Sequence, residues 1–344
     1  MEIRTFEENR KIFIKKLIAA AVLILIVAIA VVLIVIGINR QKELEYLESY
    51  GMSAVSVGSN EVTYDIYRTL YLNYRDELKK SYTKDGETDT AALDSEIRTR
   101  VLNDLRYMYA IVSLGSEHGL SLTSRDVLSV SETYIEEMKA YCKESEIDFN
   151  ATLEEGYMTE RAFEFFQRVM AMRDVLYTTL VQNKIIESAD ENVLAALRGE
   201  DFIRVKSIFI ENDAGEEVEN NRLIAAEVIE KYNGGEEFNS LIGKYSEEIP
   251  GGEAYIMRGE KEAAFENAAF ALADGEISNV VEVDGGFYII LRLEKDEMYI
   301  IEHFTELKSL YQHITFENKL KAKANMLTAT ESEYVRSLSY EEIK

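Results

Sequence analysis

The chain lacks the residues on which several classes of protein depend. Its 344 residues include one cysteine, one proline, three histidines and no tryptophan. One cysteine excludes an intramolecular disulfide framework, and with only three scattered histidines the chain has no Cys/His zinc module, so the sequence predicts no metal or other cofactor. A single proline excludes polyproline and collagen-like segments.

Basic residues are also scarce. Lysine and arginine number 38 against 63 aspartates and glutamates, which gives a formal net charge of −25. Nucleic-acid binding needs clustered lysine and arginine to neutralise phosphates, so nucleic acid is not an expected partner. Apolar residues make up 47% of the chain, and aromatic residues 10%. That composition is ample for packed cores and argues against global disorder.

One long run of the sequence, residues 17–38, has no charged side chain. As a helix its 22 residues would extend about 33 Å, which matches a bilayer core of about 30 Å. A cleaved signal peptide is the alternative interpretation. Its apolar region is usually about 7–15 residues followed by a small-residue cleavage site. Here the run ends in Asn39-Arg40-Gln41-Lys42, so the sequence favours an uncleaved transmembrane helix.

The charges beside this run predict its orientation. Residues 1–16 carry five basic and three acidic side chains, and only Arg40 and Lys42 follow the run closely. The positive-inside rule places residues 1–16 in the cytoplasm as a tail. Residues 39–344, with a net charge of −27, then lie outside. We therefore expect a single-pass protein of the cell membrane with most of its chain extracytoplasmic.

Helical periodicity dominates the chain after an expected linker at 39–59. Ile97, Val101 and Leu105 form one apolar stripe, and Thr63, Ser124 and Thr159 precede helical patterns as caps. These signals predict an all-α domain at 60–200. The stripe of Met and Phe residues after Thr159 has two interpretations, a peptide-binding groove or a shared helical core.

The pattern changes at Phe202, where β-branched and aromatic residues indicate a strand. Three short helices and a hairpin at Asp284-Gly285 follow, in the order β–α–α–α–β–β. Residues 201–295 are therefore an expected α+β domain. From Phe304 the chain is helical again, so the α+β domain is inserted between helical segments, and the C-terminal helix of 300–344 is expected to pack on the helical domain.

The α+β domain resembles the parvulin family of peptidyl-prolyl isomerases. The matching pieces occur in family order and cover about residues 202–294: 205–210, 235–238, 245–248, 251–253, 265–272, 275–278 and 286–290. The whole order of elements is similar to extracytoplasmic foldases of the PrsA and SurA type. The resemblance implies an α+β fold class: an N-terminal transmembrane helix, an all-α SurA/PrsA-like chaperone domain, the inserted parvulin-like domain and the C-terminal helix.

The resemblance also implies a site. Parvulins hold the proline ring in an apolar cup and place behind it two histidines, an Asp or Cys, and a Ser or Thr. In this chain those four positions fall on Ser207, Glu248, Gly285 and Tyr288. Both histidines and the small hydroxyl are therefore absent. The cup positions fall on Ala254, Met257, Lys261 and Phe265, and the loop that carries the first three is one residue short.

Two interpretations of this site remain open from the sequence. The hydroxyls of Ser207 and Tyr288 could keep a polar network with Glu248, or the domain could persist as a binding module with weak or lost turnover. The implied function is a membrane-anchored foldase or chaperone for unfolded or proline-containing secreted and envelope proteins. The alternative is a non-catalytic envelope assembly scaffold that binds one fixed partner. A homodimer is compatible with either.

Overall fold

The computed structural model describes residues 31–32, 34–84, 86–212, 218–247 and 253–344. The predicted cytoplasmic tail and most of the predicted transmembrane helix lie outside the described residues. Among the residues that are described, no helix is both long enough and apolar enough to cross a bilayer.

Thirteen helices and nine strands make up this described part of the chain. The helices are α1 (31–49, position 33 not described), α2 (Tyr64–Leu78), α3 (Thr90–Glu117), α4 (Arg125–Glu144), α5 (Phe149–Glu155), α6 (Glu160–Gln182), α7 (Asp190–Arg198), α8 (Val218–Asn233), α9 (Phe238–Tyr245), α10 (Ala263–Ala271), α11 (Glu297–Glu302), α12 (Phe304–Asn325) and α13 (Glu333–Ser337). The strands are β1 (Ser53–Val57), β2 (Asn60–Thr63), β3 (Thr83–Lys84), β4 (Glu87–Thr88), β5 (Phe202–Glu211), β6 (Glu253–Met257), β7 (Val281–Val283), β8 (Gly286–Leu293) and β9 (Ala329–Glu331).

Of the three predicted caps, Thr159 makes a side-chain cap hydrogen bond, whereas Thr63 before α2 and Ser124 before α4 make none. The Thr159 hydroxyl accepts a hydrogen bond from the Ala162 amide at the start of α6, and Asp89 caps α3 through the Ala92 amide. The apolar stripe Ile97, Val101 and Leu105 of α3 is fully buried. Periodicity therefore predicts which face of α3 lies in the core.

The expectation of an all-α domain was wrong, because this domain contains a small antiparallel sheet. Its strand order is β2-β1-β9, and β9 comes from near the C-terminus. The expected linker at 39–59 is largely structured as well, since it contains the end of α1 and all of β1. Each of these strands has five residues or fewer, and β9 pairs with a strand about 270 positions earlier, so neither length nor local pattern reveals the sheet.

The helix α12 packs on the helical domain and contacts α3 and α7. Phe316 and Leu320 of α12 are buried with Met172 and Leu176 of α6 in one apolar cluster. The chain therefore leaves the helical domain after α7 and returns to it through α12.

The α+β domain is built on a four-stranded antiparallel sheet of order β6-β5-β8-β7. One face, with Ile208 and Ile289, packs in a cluster with Val228 of α8 and Leu241 of α9. The opposite face packs with Phe265 of α10. The sequence pattern did not predict β6, whose five residues form an edge strand.

Aromatic rings join the α+β domain to its neighbouring helices. Phe202 of β5 stacks on Tyr255 of β6, with ring centroids 5.3 Å apart. Tyr255 stacks on Tyr299 of α11 at 4.7 Å. From α12, the Asn318 side-chain amide donates to the Arg258 carbonyl at 3.0 Å. These contacts fix the loop after β6 against α12.

Candidate functional site

The register of β5 and β8 brings two of the predicted site residues to one face of the sheet. Ser207 is paired with Ile290, and Phe209 is paired with Tyr288. Because side chains on a strand alternate between faces, Ser207 and Tyr288 point to the same side and are diagonal neighbours. Ser207 is 8% exposed, and Tyr288 is half-buried.

Three aromatic rings form the centre of this face. The Tyr288 ring lies 4.6 Å from the Phe209 ring and 4.9 Å from the Phe265 ring, in an edge-to-face contact. Phe265 is 2% exposed and forms the floor, whereas Phe209 and Tyr288 are half-buried. We call Phe209, Phe265 and Tyr288 the aromatic cup. The sequence analysis missed Phe209, although it lies two positions after Ser207 on the same strand face.

Of the other two predicted polar positions, Glu248 and Gly285, the structure describes only Gly285. Glu248 lies outside the described residues. Gly285 occupies the turn between β7 and β8 with φ +88°, and a Cβ atom there would meet nothing within 4 Å. The turn therefore needs a residue that tolerates the left-handed region, and it supplies no hydroxyl to the site.

The segment just before Glu248 is bonded to β5 beside the cup. The Glu247 amide donates to the Phe209 carbonyl at 2.9 Å, and the Ser246 hydroxyl accepts from the Phe209 amide at 3.2 Å. The Glu247 carboxylate accepts from the Glu211 amide at 2.5 Å. Both polar groups of the Phe209 backbone are thus satisfied, which holds this ring in place.

The predicted cup residues on β6 divide between two sides of the sheet. Met257 is paired with Phe202 and packs in the aromatic interface with Tyr299. Ile256 instead shares the buried cluster of Phe265. The structure therefore does not bring Met257 and Phe265 together, because one position along a strand reverses the face. Ala254 is exposed and pairs with Val205 at the β6 edge.

Lys261 is exposed on the loop between β6 and α10. A nearly buried carboxylate holds this loop: Glu266, 9% exposed, accepts from the Gly259 amide at 2.7 Å and from the Lys261 amide at 2.9 Å. Burial raises the pKa of the neighbouring Glu260 carboxyl above its usual value. The conformation of this loop is therefore held by carboxylates within it and in α10, and not by the Lys261 side chain.

The chemistry open to this site follows from its residues. An apolar aromatic cup can desolvate a peptide carbonyl and hold a proline ring, which is what rotation about an X–Pro bond requires, since no bond is broken. On this face of the sheet, hydroxyl groups are carried by Ser207 and by Tyr288 of the cup. Among the residues that the structure describes, no group of His, Cys, Asp or Glu side chains could hold a metal ion.

Two family profiles match the chain. The SurA-like N-terminal domain profile matches residues 11–176, and the PPIC-type PPIASE domain profile matches residues 193–296. The second range contains every predicted site residue and the whole aromatic cup.

The chain is also similar to individual proteins. It is 30% identical over 178 residues to a protein named foldase protein PrsA from Oceanobacillus iheyensis, over 48% of this chain and 54% of the relative. It is 36% identical over 89 residues to foldase protein PrsA 3 from Bacillus cereus, over 24% of this chain and 30% of the relative. The chain thus spans about half or less of the length of these relatives.

The chain can be superposed on a solved structure of foldase protein PrsA from Streptococcus pneumoniae. The superposition covers 76% of this chain and 98% of the solved chain. The two are 19% identical with a TM-score of 0.34, which is too low to establish a shared overall arrangement.

Proposed function

We propose that this chain, in which a match to the SurA-like N-terminal domain profile precedes a match to the PPIC-type PPIASE domain profile, is an extracytoplasmic foldase of the parvulin type. In this proposal, residues 60–200 and the C-terminal helix of 300–344 hold unfolded clients. Residues 201–295 bind the proline-containing segments of these clients and catalyse isomerisation of their X–Pro bonds slowly or not at all. The clients are secreted or envelope proteins.

The aromatic cup is the observation that carries the proposal. Its floor, Phe265, is the one family cup position that keeps an aromatic ring, and Tyr288 and Phe209 cover it with half-exposed faces. Aromatic-lined sites bind proline because its ring is preformed and apolar. Ser207 and Tyr288 stand where the family has its histidines, so binding is retained while the polar network behind it differs.

We predict low isomerase activity for the full chain in detergent micelles. In a protease-coupled assay on X–Pro peptides, kcat/KM should be at least about tenfold below that of a parvulin with both histidines, a loss of about 1.4 kcal/mol of transition-state stabilisation. The matched variant restores both family residues, Ser207→His with Tyr288→His. It should be more active than the wild-type chain.

Wild-type activity within tenfold of a typical parvulin would show that the substituted network works. If the chain neither isomerised nor bound proline peptides, but still bound one fixed envelope protein, the scaffold function would replace the foldase.

A groove on the helical domain, lined by apolar side chains and by the Glu117–Lys323 ion pair, supports the client-holding part of the proposal. It lies between α3, α6 and α12 and has a volume of about 420 Å³. Its apolar lining includes Leu114, Leu180 and Ile185, and Met326 at its edge is 78% exposed. Exposed methionines adapt to varied partners because the side chain is flexible and polarisable.

We predict that Met326→Glu weakens the suppression of client aggregation by the full chain. Burying a methionine side chain against a client contributes roughly 1.5–3 kcal/mol, so its loss should lower client affinity about tenfold or more. The matched control is Met298→Glu, because Met298 is 62% exposed on α11 and does not line the groove. Equal effects of the two substitutions would assign client binding to another surface.

Membrane anchoring through residues 17–38 completes the proposal. Its support is the length and apolarity of that run in the sequence. The basic tail of residues 1–16 would stay in the cytoplasm, and the chain from residue 39 would extend outside.

A further inference from the structure

The first described helix, α1, is attached to the helical domain along one face. Glu43 and Tyr46, and Tyr50 just after the end of the helix, are half-buried, whereas Leu44, Glu45 and residues 47–49 between them are exposed. The half-buried positions are three and four apart, so they form one stripe of the helix. This end of α1 is docked and does not extend freely from the domain.

Arg161, near the start of α6, makes the central contacts of this attachment. Its guanidinium donates to both oxygens of the Glu43 carboxylate and lies 4.1 Å from the centre of the Tyr46 ring. The hydrogen bond from Arg161 lowers the pKa of the Glu43 carboxyl below its usual value. One side chain of α6 thus holds two successive contact positions of α1.

The attachment reaches the core of the domain through Asp65. This carboxylate is 1% exposed and accepts from the Tyr46 hydroxyl at 3.1 Å. It also accepts from the Thr159 hydroxyl at 2.8 Å, and Thr159 caps α6. The same buried group therefore joins α1 to the first residues of α2 and α6.

The other end of α1 has no protein partner within the described part of the chain. Val31, Val32, Ile34, Val35, Ile36 and Ile38 are each 49–60% exposed. They belong to the apolar run 17–38, and they occupy more than half of the helix circumference, which is wider than the stripe of an amphipathic helix. Apolar side chains exposed over so wide an arc fit hydrocarbon better than a groove on another protein.

The helix is continuous between these two ends. Residues 34–49 are helical without interruption, and the single proline of the chain is Pro250. From Ile38 to Glu43 the helix advances by about 7.5 Å. Arg40 and Lys42, both exposed, occupy that interval, where basic side chains meet the headgroups of anionic lipids.

We propose that α1 is a rigid extension of the membrane anchor that holds the helical domain at a fixed height and orientation on the bilayer surface. The partner of its apolar end is the lipid bilayer, and no flexible linker separates the bilayer from the domain. This inference rests on the membrane anchoring of the proposed function. It replaces the linker expected at residues 39–59 with a docked helix.

The test measures how freely the domain moves on a vesicle. The full chain is incorporated into phosphatidylcholine–phosphatidylglycerol liposomes with a fluorophore on Glu136→Cys, an exposed position of α4, in a Cys142→Ser background. Time-resolved anisotropy should show a high residual value, because the domain rotates only with the vesicle. Insertion of Gly-Gly-Ser-Gly-Gly-Ser after Lys42 should remove most of that residual value.

Two substitutions on α6 distinguish loss of the contacts between α1 and α6 from general destabilisation of the domain. Arg161→Met should lower the residual anisotropy, because it removes the contacts to Glu43 and Tyr46. Arg168→Met should not, since Arg168 pairs with Glu164 on its own helix. If the wild-type chain incorporates into liposomes but its anisotropy decays as fast as that of the insertion variant, the rigid attachment is wrong and the membrane anchor stands. A chain that fails to incorporate overturns the membrane anchor and the attachment with it.

Discussion

Replacement of Arg98 by methionine is expected to lower the free energy of unfolding of the helical domain by about 2–3 kcal/mol, below the cost of breaking a fully buried pair, because it leaves the partners of a partly buried ion pair without their cation. The Arg98 guanidinium contacts the Asp94 carboxylate at 2.8 Å and the Glu331 carboxylate at 3.1 Å, and the three side chains are 11–25% exposed. It also donates to the Leu338 carbonyl at 2.9 Å. Arg98 thus ties β9 and the segment after α13 to α3.

Urea unfolding of the full chain, followed by circular dichroism, measures this loss. The matched control is Arg100→Met, because Arg100 lies two positions along the same helix. It pairs with Glu96 at 2.7 Å while both side chains are 35–37% exposed. An exposed pair of this kind contributes about 0–1 kcal/mol. If the two variants lost equal stability, the network around Arg98 would not be what holds the C-terminal segment.

Gly286→Ala is expected to disrupt the pairing of β5 with β8 and so to distort the aromatic cup. A Cβ atom at Gly286 would overlap the Ile210 carbonyl oxygen and would lie 2.7 Å from the Phe209 ring. Neither neighbour can move freely, because the first is backbone and the second packs on Tyr288. Overpacking of this kind costs typically about 1–3 kcal/mol and more where backbone must shift.

The preceding glycine provides the control for this substitution. Gly285→Ala places a methyl group in open space, so only its left-handed φ of +88° matters, at about 1–2 kcal/mol. Hydrogen exchange of β5 and β8 amides, with proline-peptide binding beside it, distinguishes the two. We expect faster exchange and weaker binding for Gly286→Ala. Equal exchange rates in both variants would mean that the sheet accommodates the added methyl group without losing the pairing of β5 with β8.

The long helices and the hairpin were predictable because their signals are local. Thr159 caps α6, the stripe of Ile97, Val101 and Leu105 is buried, and Asp284-Gly285 forms the turn between β7 and β8. The sheet β2-β1-β9 was not predictable in the same way. Its third strand has three residues, and its pairing depends on the return of the chain through α12.

The relative placement of the candidate site residues was predictable only where they could be placed on a strand of known register. Ser207 and Tyr288 share a face because β5 and β8 are long and pair regularly. Met257 was placed by counting through a loop of altered length, and the strand β6 that contains it was not foreseen. A shift of one position along β6 moves a side chain from the face of the cup to the opposite face of the sheet. Ile256, one position before Met257, therefore packs with Phe265 instead.

The position of β9 after the α+β domain affects the order in which the two domains can assemble when the chain becomes free from its N-terminal side. Every element of the α+β domain lies between residues 202 and 293, whereas the sheet of the helical domain needs residues 329–331. The α+β domain can complete its sheet while the helical domain still lacks α12 and β9. The groove beside α12, which includes Met326, would then form after the α+β domain, because it needs residues that follow that domain in the chain.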